Sequence, residues 1–289
     1  MQVKTREARH DDIDAITRFT TGTFEWGDYV PESIRGWMDD TGGAVFVAVD
    51  DDDEPIALGR CVLLTPTEAW VHAARVHPDH RGKGIAGEMA TVLTDWARKQ
   101  GAHVARLMIE ESNTSSVRHI AKTAFRKTNR VHRCFRSLGA GAPRPPSNGG
   151  SRRHSNLVAR PIKATDAEMF TAMWPSSEPG RTMRGLIAQE WTFHRLATED
   201  TIRAATQNRL WEIGGSWAIT LEEDGEFDVE LVAAAPDDAV DVARSLIDLA
   251  TSHGATAFSA WVADLPWLVS AFEHVGCDTE PSGIWAMGL

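Results

Sequence analysis

The stretch Ala69-Trp-Val-His-Ala-Ala-Arg-Val-His-Pro78, continued by Asp79-His-Arg-Gly-Lys-Gly-Ile-Ala-Gly-Glu-Met-Ala90, decides the fold. Its first half carries β-branched Val71 and Val76 and stops at Pro78, which predicts a strand. From Ile85 the apolar positions fall at Ile85, Met89, Val92, Leu93 and Trp96, which is helical spacing. Between the two periods lies Arg81-Gly82-Lys83-Gly84. The glycines remove β-carbons that would hold an anion off the backbone. The first helical turn points its unpaired N–H groups and positive dipole end into the loop. A surface turn can use the same residues, but Arg81 and Lys83 beside the glycines favour an anion cradle of pyrophosphate size.

The stretch resembles motif A of the GCN5-related N-acetyltransferases, Arg/Gln-x-x-Gly-x-Gly/Ala, met by Arg81, Gly84 and Ala86. The resemblance implies acetyl-CoA as the cofactor. Its pyrophosphate would lie on the loop Arg81, Gly82, Lys83, Gly84, Ile85 and Ala86, and its pantetheine arm along Ala74, Arg75 and Val76. The spacing fits neither a Walker A loop nor a dinucleotide Gly-x-Gly-x-x-Gly.

Composition narrows the class. A chain of 289 residues holds one large or two modest domains. No apolar run approaches the roughly 20 residues of a membrane span, and the N-terminus lacks a signal-peptide pattern. Three isolated cysteines give neither a disulfide framework nor a zinc pattern, and no compact ligand set accompanies the histidines, so no metal is expected. A soluble cytoplasmic protein without a membrane role is the expectation. Net charge is −11, unevenly spread: twelve of the 30 Lys/Arg lie in the acid-free stretch between Glu111 and Asp166. The rest of the chain carries the other 18 against all 41 acidic residues, an acidic surface that repels nucleic-acid phosphate.

Taken in order, residues 3–9 predict a strand, Asp11-Asp12 cap a helix to about Phe24, and 32–39 a second helix. Strands follow at 44–49 and 56–64, then the organising strand, loop and helix, a strand at 104–109, a helix at 116–125 and the final strands from Arg126. This is the acetyltransferase order. Asn113-x-x-Ser116-x-x-x-Ile120-x-Lys122-x-Ala124-Phe125 continues the resemblance, which assigns Asn113 and Ser116 to the cofactor. The family's tyrosine, which often protonates the leaving thiolate, is replaced by Ile120, so that role passes to Tyr29 or a water. The Gly/Pro/Arg-rich segment 139–155 reads as a linker. Residues 156–289 read as a second copy, with one deletion. Pro78 to Gly101 is 23 residues, whereas Pro236 to Gly254 is 18, and Asp237-Asp238 stand where the glycine loop belongs. The expected architecture is an α/β protein with a mixed sheet and the acyl-CoA N-acyltransferase (GNAT) fold in two tandem domains. Residues 1–138 are catalytic and 156–289 degenerate.

Acetyl transfer to an amine needs alignment, a polarised carbonyl and a neutral amine. His72, placed by period two on the face of Ala74 and Val76, is one candidate base; a half-buried strand histidine is the equal alternative. Glu110 and Glu111, at the end of the next strand, are second candidates as base or amine anchor. Trp26, Asp28, Tyr29 and Trp37 lie where this fold shapes an acceptor pocket. Gly27-Asp28-Tyr29-Val30-Pro31, Trp37, the glycine loop and Gln189-Glu190-Trp191 also resemble the histidine N-acetyltransferase-like proteins, which join an active half to a degenerate one. That likeness implies a free amino acid or small amine as acceptor, with Gln189 and Trp191 closing the site. A protein N-terminal or lysine acetyltransferase and a CoA-binding sensor without turnover stand as alternatives, and a homodimer is left open.

Overall fold

The computed structural model describes residues 3–23, 27–139 and 157–289. Trp26 and almost all of the linker expected over 139–155 lie outside the described residues. The chain divides into two compact units. Unit 1 comprises Met1–Met108, Asn113–Arg126 and Trp285–Leu289; unit 2 comprises Ile109–Ser112 and Lys127–Ile284. The compact units therefore cut the chain differently from a division at residue 138. The strand that follows the first half lies almost wholly in unit 2, and the chain's last five residues lie in unit 1, where the Leu289 N–H bonds the His103 carbonyl at 2.9 Å.

Unit 1 begins with β1 (Lys4–Glu7), α1 (Ile13–Thr20) and α2 (Val30–Asp39). Asp12 sits at the head of α1, where its carboxylate accepts from the Arg9 N–H at 2.6 Å and from the Arg6 guanidinium at 2.7 and 2.9 Å. α1 ends at Thr20, sooner than its periodicity suggests. Thr20, Thr21 and Thr23 turn their hydroxyls onto backbone carbonyls, and Gly22 takes φ +78°. Then follow β2 (Gly43–Val49), β3 (Pro55–Thr65), β4 (Glu68–Val76), α3 (Ile85–Lys99), β5 (Val104–Glu110) and α4 (Thr114–Ile120). β1 to β4 pair antiparallel in sequence order, and β5 joins β4 in parallel.

One face of this sheet is covered by α1 and α2. Ile13, Ile16, Phe19, Val30 and Ile34 pack there on Val45, Val47, Val49, Leu58 and Ala73. The other face is covered by α3, whose buried Ile85, Met89, Leu93 and Ala97 recur every four residues. Gly59 lets α3 approach, because a β-carbon there would lie 2.7 Å from Leu93 Cδ1.

After β6 (Arg126–Ser137), unit 2 runs through β7 (Ala159–Pro161), α5 (Ala167–Met173), α6 (Glu178–Thr182), β8 (Leu186–Gln189), β9 (Thr192–Arg195) and α7 (Thr198–Thr206). It continues with β10 (Leu210–Ile213), β11 (Ser216–Glu223), β12 (Glu226–Ala233), α8 (Ala239–Ser252), β13 (Ala257–Ala263), α9 (Pro266–His274) and β14 (Asp278–Gly288), whose last residues belong to unit 1. Its ladder runs β7-β10-β11-β12 antiparallel, then β13 parallel to β12, then β6 antiparallel to β13. A strand, a helix and a parallel strand (β12, α8, β13) thus repeat the β4, α3, β5 order. The three cysteines are buried and unbridged. Among the described residues no helix is long and apolar enough to cross a membrane.

The close contact at Gly59 gives a direct test. Gly59→Val should cost about 1–3 kcal/mol by overpacking against Leu93, read as a lower midpoint in denaturant unfolding. An unchanged midpoint would mean that α3 has room to move.

Candidate active site

The site begins with a fault in a ladder. Leu58 faces Arg75 and Arg60 faces His72, so Gly59 alone on β3 opposes Ala73 and Ala74 on β4. This is a β-bulge, and Ala73 adopts φ +57°, a left-handed conformation that costs a non-glycine residue on the order of 1–2 kcal/mol. Sequence gave one clue, a glycine inside a strand. Along the other edge of β4, the parallel pairing covers only Glu68–Trp70 against Val104–Arg106. Past Trp70 the parallel pairing with β5 stops. Unpaired backbone amides and carbonyls along a strand edge are a template for another amide-bearing chain.

The bulge also corrects the placement of His72. Residues opposed across an antiparallel pair share a face, so His72 lies on the face of Arg60, Leu58 and Arg75, the face covered by α1 and α2. Ala74 and Val76 point to the opposite side. Period two fails here because the extra residue inverts the alternation. His72 meets the Trp37 indole edge-on at 5.2 Å. Burial, together with the Arg60 and Arg75 guanidinium charges, pushes its pKa down from 6.5 to about 3. The ring is neutral at physiological pH and is a weak proton acceptor.

At the C-terminal end of β4, a single helical turn over Pro78–His80 leads into Arg81-Gly82-Lys83-Gly84. Gly82 and Gly84 take φ +76° and +86°, and nothing lies within 4 Å of where their β-carbons would be. Gly84 is the N-cap of α3. Among the described residues the amides of Gly82 to Ala86 have no backbone acceptor, which leaves a row of donors in open space at the positive end of a 15-residue helix. Arg81 reaches back to the Val76 carbonyl at 3.2 Å and ties the loop to β4. Lys83 is exposed. These groups fit a diphosphate continued by an amide-containing arm.

Beside the bulge stands an aromatic and charged cluster. Asp28 accepts from Arg75 at 2.7 and 3.2 Å and from the Val30 N–H at 3.0 Å, and its side chain is wholly out of water. Asp28 therefore caps α2 and fixes Arg75; its oxygens are occupied internally. Arg75 lies over the Tyr29 ring at 5.3 Å, and Tyr29 meets Trp37 at 5.8 Å. The Tyr29 hydroxyl is raised above its ordinary pKa of 10 by burial of its polar end, opposed by Arg75 and by the backbone N–H of Ala73, which donates to it. A protonated phenol thus stands at the bulge.

A family model for the acetyltransferase (GNAT) family matches residues 11–125. Those residues form a GNAT acetyltransferase domain. The match contains every part just described. Over 47 residues the chain is 43% identical to an L-methionine sulfoximine/L-methionine sulfone acetyltransferase of Salmonella typhimurium, 16% of this chain and 28% of that protein. Over 46 residues it is 44% identical to an L-amino acid N-acyltransferase of Escherichia coli, 27% of that protein. The chain thus spans little more than a quarter of the curated relatives it matches. Among solved structures, a GCN5-related N-acetyltransferase from Sphaerobacter thermophilus superposes with TM-score 0.67 at 14% identity, covering 99% of this chain and 95% of that one. A tandem GNAT protein from the clavulanic acid biosynthesis pathway gives TM-score 0.57 at 10% identity, covering 99% and 98%. The whole chain has the GNAT fold in tandem.

The remaining candidates fall as follows. The Asn113 side chain accepts the Ser116 N–H at 3.1 Å and so caps α4. Ile120 is buried and brings no acid to the site. Glu111, in unit 2, is held by Arg130 at 3.0 Å and by Lys127; these partners push its pKa down to about 2, which removes it as a base. Glu110 is exposed at the end of β5. Gln189 ends β8 in unit 2 and borders a cavity of about 30 Å³ with His194, Asp200, Arg209 and Glu230, room for water only. There burial pushes the Glu230 carboxyl up to about 7, with Arg209 opposing. Trp191, also in unit 2, packs edge-on to Trp261 at 5.4 Å beneath the Arg133 guanidinium at 4.6 Å. In unit 2 the chain enters α8 through Asp237 and Asp238, with no glycine at the helix head.

Two measurements check the site. The His72 ring should not titrate between pH 5 and 8 in an NMR pH series. Because its folded pKa lies below the unfolded 6.5, it contributes stability above pH 6.5 that is lost as pH falls toward 3; a midpoint near 6.5 would refute its burial. Arg81→Glu combined with Gly84→Glu should weaken coenzyme A binding at least 100-fold by calorimetry, with the far-UV spectrum unchanged.

Proposed function

We propose that the protein is an acetyl-CoA-dependent N-acetyltransferase acting on a small amine or free amino acid, with unit 1 catalytic and unit 2 holding no cofactor. The observation that carries this reading is the row of amides from Gly82 to Ala86 without a backbone acceptor, at the head of α3 and just past the point where β4 leaves its ladder with β5. A diphosphate followed by an extended amide chain is the ligand shape those two features match. Acetyl-CoA, when bound, supplies an activated acyl carbonyl and a thiolate leaving group. The short curated relatives act on amino acids by name, which supports the acceptor class.

The chain's own groups divide the work. The loop amides and Lys83 would hold the diphosphate, and β4 beyond Trp70 would orient the arm. Alignment of this kind contributes on the order of 7–11 kcal/mol to a bimolecular transfer. The Tyr29 hydroxyl, protonated at neutral pH and adjacent to Arg75, would be the proton donor that such a leaving thiolate requires. It takes the part left open by Ile120. His72 and Glu111 are too weakly basic to remove the amine proton, so the amine reaches the site neutral or loses its proton to solvent.

Turnover of acetyl-CoA against a panel of amino acids and amines, followed by thiol release, tests the reaction. Tyr29→Phe should lower kcat about ten- to a hundredfold and leave the coenzyme A dissociation constant within twofold. No thiol release with any acceptor, alongside tight coenzyme A binding, would instead favour the sensor reading.

A further inference from the structure

Arg60 and His72 present an unused pair of nitrogens. They are cross-strand partners on β3 and β4, so they share the face under α1 and α2. Both lean on Trp37: the Arg60 guanidinium carbon lies 5.2 Å from the indole centroid, and the His72 ring lies at the same distance. Arg60 is only 8% exposed, and its terminal nitrogen Nη2 is bonded to Asp40. Arg60 Nε and His72 Nε2 are both shut off from water and, among the described residues, have no hydrogen-bond partner. Buried polar atoms are normally satisfied, and two side by side without a partner call for a third group. Sequence reading missed Arg60, because a lone arginine in a strand carries no pattern.

The chemistry of the gap selects the ligand. Arg60 Nε carries a proton that it cannot give up, so the missing partner is a hydrogen-bond acceptor. An ammonium offers only donors and is excluded. His72, neutral in this setting, donates from Nε2 in one tautomer. The charged groups nearby are already committed. Asp40 accepts from Arg60 and from the Gly42 N–H, and Asp28 accepts from Arg75 and the Val30 N–H. An incoming oxygen therefore meets two donors beside the Arg60–Asp40 and Arg75–Asp28 ion pairs, whose carboxylates already accept from protein groups. We propose that Arg60 and His72 bind the carboxylate of the acetyl acceptor, which makes the acceptor a free α-amino acid.

The tether supports the α position. His72 and Ala73 are consecutive, about 3.8 Å apart at Cα, and the Tyr29 hydroxyl sits on the Ala73 N–H. A carboxylate held at Arg60 and His72 leaves an amine on the adjacent carbon beside the bulge. Trp37, which contacts both binding residues and Tyr29, walls the same space.

This assignment rests on the acetyl-transfer reading, and the experiment separates the two. The full chain, loaded with coenzyme A, is titrated by calorimetry with the twenty L-amino acids and with their C-terminal amides; the same compounds are then assayed with acetyl-CoA. The wild type is expected to favour an acid over its amide at least tenfold in both binding and kcat/KM. Arg60→Gln should raise KM for the acid at least thirtyfold. Its KM for acetyl-CoA should stay within threefold, and its preference for the acid over the amide should fall at least tenfold. Arg60→Lys, which keeps the charge and the Asp40 partner, should recover part of the loss. Equal binding of acids and amides by the wild type overturns the carboxylate site, whether or not turnover occurs. A uniform loss on acids, amides and acetyl-CoA in both Arg60 variants also overturns it, since that is the mark of a structural arginine. Acid-selective binding without turnover keeps the carboxylate site and sinks the acetyl-transfer reading.

Discussion

A strand hydrogen-bonded along both edges has no backbone groups to offer, and β4 keeps both ladders only as far as Trp70. Beyond it, one residue of β3 faces two of β4, and Ala73 accepts a left-handed backbone to close the mismatch. That single extra residue gives the site its parts. It inverts the alternation of β4, so that His72 and Arg75 face α1 and α2 while Ala74 and Val76 face away. It also directs a backbone N–H to the Tyr29 hydroxyl. Gly59 is the complementary constraint. With no β-carbon it can stand alone opposite the bulge, and it lets Leu93 of α3 close on the other face. A strained non-glycine residue kept at such a place is the usual mark of a site where geometry is selected over local stability.

Electrostatics then sorts the nominated groups. Asp28 and Glu111 are both carboxylates near the end of an element, yet both are committed to arginines: Asp28 to Arg75, Glu111 to Arg130. Neither is free to hold an amine. His72 is denied its ordinary basicity by burial between two guanidiniums. What remains in unit 1 is a set of donors: the loop amides, the Tyr29 phenol, and the Arg60 and His72 nitrogens. Most contacts around the bulge are spent on fixing Arg75, Tyr29 and Trp37.

The two units use the same strand-helix-strand order for different ends. In unit 1 the loop from β4 into α3 carries two glycines with positive φ and a lysine; in unit 2 the loop from β12 into α8 is shorter and carries Asp237 and Asp238. Carboxylates at a helix head stabilise the helix through its dipole and repel a phosphate at the same spot. Unit 2 has instead buried polar groups, among them Glu230 against Arg209 around a cavity of water size. Each unit also includes chain from the other half of the sequence: unit 2 has β6, and unit 1 has Trp285–Leu289.

The sequence by itself was enough for whatever depends on local pattern. The glycine loop, the helix after it, the order of elements and the missing loop in the second half were legible because φ demands, helical spacing and chain length act within about twenty residues of one another. Tertiary structure alone decided the rest. The bulge at Ala73 arises from register between two strands, and alanine gives no sign that it will take a positive φ. The fate of each carboxylate was set by an arginine 19 positions away along the chain for Glu111 and 47 for Asp28. Arg60 became visible only once folding had buried it beside His72 with one nitrogen unpaired. Pairings across the sheet depend on which strands meet, and no local stretch of residues records that.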